Sequence, residues 1–299
     1  MTDDISRNAR AASGAWLDHR LTPAEGEAFG RDGFMILDAV LPEAVTDGLE
    51  DAFEKVWATE RAARGVTELD KINMYDFLGK DDRFLDMVDW PASFPKVVDI
   101  LGWNIQIYHT HMIASPGAGQ GAPPGTRGWH QDSDRLNAEL ESHPRPRVSL
   151  KVAFFLTDCS VKGRGNFGAV PGSHLKDALV DREHRDVDPP GATEVLVPRG
   201  GIVLFDRRIW HTGTENYADF PRKVLFYGYS YRWLRPRDDM TVEHYLEHSD
   251  PIRRQLLGTS PSGGHGYTSP KPGDVPLRDW LDAHPADAAA AAAAGAPAA

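Results

Sequence analysis

Residues 128 to 134 read GWHQDSD and place His130, Asp132 and Asp134 at alternate positions. Alternate residues of an extended segment project to the same side, so as strand the three would share one face. An imidazole beside a carboxylate is either a satisfied polar pair or part of a metal site, and the triplet alone does not decide between them. A further ligand would have to come from another strand. His211, in DRRIWHTGTEN, ends an apolar run and lies 79 positions after Asp132 (211 − 132). Two histidines and one carboxylate on one face leave three positions of an octahedral metal open, which suits Fe(II) and O2 chemistry; zinc could take the same donors in a tetrahedral site. Eleven residues beyond His211 (222 − 211), at the head of the next strand pattern, stands Arg222. Its guanidinium fork could pair bidentately with the distal carboxylate of a keto acid whose other end chelates the metal.

Other polar residues accompany these. His109 and His111, in YHTHM, share a face of the strand before the metal loop and could contact a keto acid, a substrate or the core. Lys151 interrupts the apolar run SLKVAFF, and a lysine is seldom buried without a partner. It could meet an anionic group in a pocket or snorkel to a rim. Asp134 reads as a solvated carboxylate or one near the metal, and also as a candidate substrate contact. His174, in the turn PGSH, reads as structural. Trp129 and Trp210, each preceding a candidate ligand, should face the opposite side and pack, and the tyrosines of YGYSY should belong to the core.

These residues need elements to position them. TPAEGEAFGRDG begins with a capping threonine, Thr22, then Pro23 and acidic residues, the signature of a helix start. FMILDAV reads as a short strand, and LPEAVTDGLEDAFEKVWATERAARG as an amphipathic helix closed by Gly65. A second helical region covers roughly 81 to 101, interrupted by Pro91 and Pro95. From residue 104 short strands alternate with Pro- and Gly-rich turns: IQIYHTHMIAS, RVSLKVAFFLTD, GNFGAV, TEVLVPRGGIVLFD and RKVLFYGYSYRW. Such a series predicts a mainly β protein, a sandwich or closed barrel, with the earlier helices packed outside. Residues 1 to 20 read as a loose arm, 21 to 250 as the catalytic domain, 251 to 285 as an extension acting as lid or subunit contact, and 286 to 299 as a disordered alanine-rich tail without an amphipathic face.

The 299 residues are 41% hydrophobic and 26% charged, the composition of an ordinary globular protein. A net charge of −11 and the lack of a basic stripe argue against nucleic acid and anionic membranes as partners. The single cysteine, Cys159, excludes an internal disulfide and cysteine-rich zinc sites. The polar N-terminus, without an apolar stretch, points to a cytoplasmic setting.

Taken in order and at this spacing, RDGFMILDAVLPEAV, WHQD, FFLTD, GNFGAVPGSH and WHTGTENYADFPRKVLFYGYSYRW resemble the phytanoyl-CoA dioxygenase family of Fe(II)/2-oxoglutarate oxygenases, which includes ectoine hydroxylase. The resemblance covers roughly residues 22 to 235. It implies a double-stranded β-helix (a jelly-roll, cupin-like core), with His130, Asp132 and His211 as iron ligands. Arg222 would hold the C5 carboxylate of 2-oxoglutarate, with Asn216, Thr212 and His109 as further co-substrate contacts. Lys151, His111 and Asp134 remain for the substrate, a small molecule. The expected reaction is hydroxylation with O2 as co-substrate; desaturation, epimerisation or cyclisation would need the same ligands. Related halogenases lack the carboxylate that Asp132 supplies here. A zinc-dependent hydrolase and a non-catalytic metal-binding scaffold are the alternatives of another class. Many relatives carry Ser or Thr two residues after the distal histidine, where this chain has Gly213. Thr212 or Thr214 could substitute, against the strand's parity.

Overall fold

The computed structural model describes residues 14–38, 40–140, 142–176, 182–268 and 270–297. Helix α1 (Pro23–Asp32) opens on a capping box: the Thr22 hydroxyl accepts from the Glu25 amide, and Glu25 accepts from the Thr22 amide. It closes on Gly33 at φ 81°, and β1 (Phe34–Leu37) follows. Helix α2 (Glu43–Arg64) ends on Gly65, also left-handed. Strand β2 (Ile72–Tyr75) precedes α3 (Asp82–Leu85) and α4 (Phe94–Leu101), with Pro95 in the first turn of α4. Then come β3 (Ile105–Ser115), α5 (Asp134–Glu139), β4 (Ser149–Phe155), β5 (Phe167–Ala169), β6 (Thr193–Val195), β7 (Ile202–Asp206), β8 (His211–Gly213) and β9 (Arg222–Tyr231). Helices α6 (Glu243–Leu246), α7 (Pro251–Leu256), α8 (Pro276–Ala283) and α9 (Ala288–Ala293) complete the order. Among the described residues no helix is long and apolar enough to cross a membrane.

The strands form two antiparallel sheets, β1-β7-β4-β9-β3-β2 and β6-β5-β8, the double-stranded β-helix expected. The large sheet is apolar on both sides because both sides are covered. Leu150, Val152 and Phe154 of β4, with Leu225, Tyr227 and Tyr229 of β9, join the cluster that also holds Phe84, Val88, Phe94 and Val97 of the helical layer. Ala153, Phe155, Val224 and Phe226 take the opposite parity and meet Phe167 and Ala169 of the small sheet. The tyrosine hydroxyls of this strand bond outward, Tyr227 to the Phe84 carbonyl at 2.8 Å and Tyr229 to Val88 at 2.9 Å, which makes them core residues.

Three expectations about the chain ends are corrected. The alanine tail docks: α9 packs on α1, with Ala290 and Ala294 buried. Its missing amphipathic face is supplied by the partner, since a Cβ on Gly26 or Gly30 would lie 2.3 or 2.0 Å from the carbonyl oxygen of Ala290 or Ala293. Two bare backbones therefore touch. The N-terminal arm is anchored from Trp16 onward; the rest of it, residues 1–13, lies outside the described residues. Trp16 is 1% exposed, packs on Phe94 and Trp280, and donates to the Asp89 carbonyl. The 251–285 extension is core rather than lid. Ile252, Leu256, Leu277 and Trp280 are buried, and buried Arg253 pairs with Asp89.

Candidate metal centre

The metal loop reaches its place by pairing with β8. His130 and His211 exchange amide-to-carbonyl bonds of 3.0 and 2.9 Å, which sets their ring centroids 4.3 Å apart. Each ring is then fixed by its own backbone: His130 Nδ1 donates to the Gly128 carbonyl at 2.7 Å, and His211 Nδ1 to the Ile209 carbonyl at 3.0 Å. Both Nε2 lone pairs are thereby left free, the tautomer a metal ligand needs. Burial, then the neighbouring His130, lowers the His211 pKa to about 3, so the ring is neutral. Phe167 and Phe205 pack against it.

Asp132 completes the set. Its Oδ1 accepts from Lys151 Nζ at 2.8 Å, while Oδ2 is buried, has no hydrogen-bond partner and lies 3.9 Å from His211 Nε2. Burial pushes the carboxyl pKa up, but Lys151 and the two histidines outweigh it and hold the group well below its ordinary range. One donor atom from each of His130, Asp132 and His211 lies within 4.8 Å of the others. A bare carboxylate oxygen and two free imidazole nitrogens on one face fit a divalent cation of the imidazole-and-carboxylate class. Between the ligands, Gln131 donates to the Arg208 and Lys176 carbonyls and pins the loop. Trp129 and Trp210 form a separate cluster with Val170, as their parity predicted.

Ser133 adopts φ 63°, the extended segment ends there, and Asp134 opens α5. The extended backbone on which the alternation rests stops at Asp132.

Arg222 is 4% exposed and lies over the Phe155 ring, with Nε lacking an acceptor and no carboxylate partner among the described residues. It lines a cavity of about 270 Å³ together with Lys71, Ser115, Pro124, Gly213 and Thr214. Gly213, on its wall, is two residues along β8 from His211. Thr214 Oγ1, on the same cavity, is buried without a hydrogen-bond partner. Strand β8 ends at Gly213, before Thr214.

The other expected co-substrate contacts make hydrogen bonds within the protein. Thr212 Oγ1 accepts from the Gly128 amide and donates to the Gly213 carbonyl, bracing the loop whose carbonyl holds His130. Asn216 also lines the cavity, but its amide donates to the Ser115 and Phe220 carbonyls and its oxygen accepts from the Ala218 amide. It ties the β8–β9 turn.

His109 is 1% exposed. Its Nδ1 donates to Asp238 Oδ1 at 2.9 Å, burial lowers its pKa, and Nε2 has no partner. A bulge between Ile107 and His109 interrupts the β3–β9 register just before this ring. His111, its pKa lowered to about 2 by burial and then by Lys151, lies 4.6 Å from the Tyr75 ring, which Arg237 covers at 4.5 Å. Lys151 does not snorkel: it is 5% exposed and bonded to Asp132. Sequence reasoning missed Asp238 and Gln131. Asp238 stands in RPRDDM, which reads as a solvated loop, and nothing local marks it.

Comparison with known proteins agrees with this geometry. The family model described as phytanoyl-CoA dioxygenase (PhyH) matches residues 29–224. The dioxygenase af480 of Aspergillus fumigatus is 26% identical over 243 residues, 75% of this chain and 72% of its own. HygX from Streptomyces hygroscopicus, solved with nickel and 2-oxoglutarate, superposes with a TM-score of 0.60 at 15% identity, covering 72% of this chain and 89% of its own. SnoN, a non-haem α-ketoglutarate-dependent epimerase from nogalamycin biosynthesis, does so with a TM-score of 0.54 at 17% identity, over 75% and 87%.

Proposed function

The chain belongs to the phytanoyl-CoA dioxygenase family, and from that premise we propose that it uses Fe(II), 2-oxoglutarate and O2 to hydroxylate an unactivated C–H bond of a small-molecule metabolite. Support comes above all from the ligand atoms of His130, Asp132 and His211, gathered within 4.8 Å, with Asp132 Oδ2 unpartnered. The chemistry such a centre supplies when loaded is oxidative decarboxylation of the keto acid to succinate and CO2, coupled to oxidation of the C–H bond.

The chain's own residues bind, orient and shield. His130 Nε2, His211 Nε2 and Asp132 Oδ2 would hold the metal. Arg222 would pair with the distal carboxylate of 2-oxoglutarate, and Thr214 would add its unpartnered hydroxyl. Phe167 and Phe205 keep water from the His211 ring. His109, neutral and with Nε2 bare, offers an acceptor to a substrate hydroxyl, and His111 and Tyr75 line the approach.

Anaerobic addition of Fe(II) and 2-oxoglutarate to metal-free protein should give a weak visible charge-transfer band. His211→Ala should abolish it, and Arg222→Ala should weaken it. Absence of the band together with no 2-oxoglutarate affinity by calorimetry would reject the reading. Once a substrate is found, product mass separates hydroxylation, which adds an oxygen atom, from epimerisation, which does not.

A further inference from the structure

Lys151 poses a question that the proposed function leaves open. It stands on β4 between Leu150 and Val152, opposite Gly228 of β9 and Phe205 of β7, and is 5% exposed. Its same-side neighbours along β4 are Ala153 and Phe155, which are apolar, and Ser149, whose hydroxyl is engaged by Tyr108. Its hydrogen bond among the described residues goes to Asp132 Oδ1, at 2.8 Å. A buried ion pair is a poor stabiliser, since desolvation offsets most of the attraction and a well-packed apolar side chain often serves as well. The pair therefore calls for an explanation other than stability.

Its effect is on the carboxylate. An aspartate can meet a metal through one oxygen or both. Here the two oxygens are made unequal: Oδ1 is engaged by an ammonium, and Oδ2 is buried and bare, 3.9 Å from His211 Nε2. Resting on the function proposed above, we propose that Lys151 is a positioning residue that reserves Oδ1, so that Asp132 meets the metal through Oδ2 alone and three metal positions stay open. The count matters because a chelating keto acid takes two of the three and O2 needs the last. A bidentate Asp132 would occupy the place that O2 requires.

The test counts metal-bound water with Mn(II) as the probe. Water-proton relaxation of the Mn(II)-loaded protein should report three exchangeable waters, falling to one when 2-oxoglutarate is added. Lys151→Met frees Oδ1, and its count should be one lower in each state, with 2-oxoglutarate bound about tenfold more weakly by calorimetry. Lys151→Arg, which keeps a buried donor, should restore the wild-type counts. Two waters on wild-type Mn(II) protein, or wild-type counts and affinity in Lys151→Met, would overturn the proposal. If Lys151→Met does not fold, the wild-type count decides alone. If wild-type protein takes up Mn(II) but no 2-oxoglutarate, the proposed function falls, while the count on metal alone still judges Lys151.

Discussion

Replacing Asp238 by Asn should invert the polarity of His109 without altering the shape of the site. Asp238 is buried and accepts four hydrogen bonds. Oδ1 takes His109 Nδ1 at 2.9 Å, and Oδ2 takes the Thr110 amide at 2.5 Å, the Thr110 hydroxyl at 2.7 Å and the Asp76 amide at 3.2 Å. Asparagine has one acceptor oxygen and one NH2 group. Three donors converge on the Oδ2 position, so the amide oxygen belongs there and the NH2 group faces His109. The ring must then accept at Nδ1 and carry its proton on Nε2. The atom offered to the site changes from acceptor to donor. Bonds to a carboxylate are about twice as strong as those to a neutral oxygen, so weakening the three Oδ2 bonds by roughly 1 kcal/mol apiece costs about 3 kcal/mol. The assay is nitrogen NMR of histidine-labelled protein, in which protonated and bare ring nitrogens have distinct shifts, alongside urea denaturation. An unchanged Nδ1–H tautomer in a variant as stable as wild type would refute the reasoning.

Further expectations follow from packing and charge. Gly30→Ala should lower stability by ~1–3 kcal/mol, because the new Cβ meets the Ala293 carbonyl oxygen at 2.0 Å. Gly48→Ala, in the second turn of α2 with its nearest contact at 3.5 Å, should raise it by ~0.5–1 kcal/mol; denaturation curves compare the two. The Cys159 thiol, buried and with its pKa pushed up to about 11 by that burial, should resist iodoacetamide at pH 8 in the native state and react in urea, as mass spectrometry would record. Asp206 is fully buried; burial raises its pKa, but Arg208 and Arg147 outweigh it and hold the value below the ordinary 3.8. Its contribution to stability is therefore complete above pH 3.8 and lost as pH falls through the folded value, so Asp206→Asn should flatten the acid limb of a stability–pH profile.

The sequence disclosed what is local and withheld what is not. The metal ligands were legible because alternation puts His130 and Asp132 on one side, and the order and spacing of the motifs, through the family resemblance, supply His211 as their partner. Arg222 followed from its place at the head of β9. The same parity rule runs out at both ends of its range, because Ser133 turns left-handed before Asp134 and β8 stops before Thr214. Lys151 was visible as an anomaly, but its partner lies on the metal loop, 19 residues earlier. Asp238 is 129 residues from His109, and no spacing rule spans that distance. The tail was misread because a polyalanine helix docks only on a surface made for it. That surface is a pair of glycines on α1, at the other end of the chain.

That docked tail also stores its alignment in an unusual place. Residues 288 to 294 are all alanine, so every rotation of α9 about its axis presents the same side chains to Gly26 and Gly30. The interior of the helix cannot say which alanine belongs at which contact. Asp287 caps the start by accepting from the amides of Ala289 and Ala290, and the far end is held by Arg147, which donates to the carbonyls of Ala294 and Gly295. One inserted alanine would leave the composition and the contact surface unchanged, yet rotate one end against the other by about 100° and lengthen the helix by about 1.5 Å. At this edge of the fold, the number of alanines carries the structural information and their order carries none.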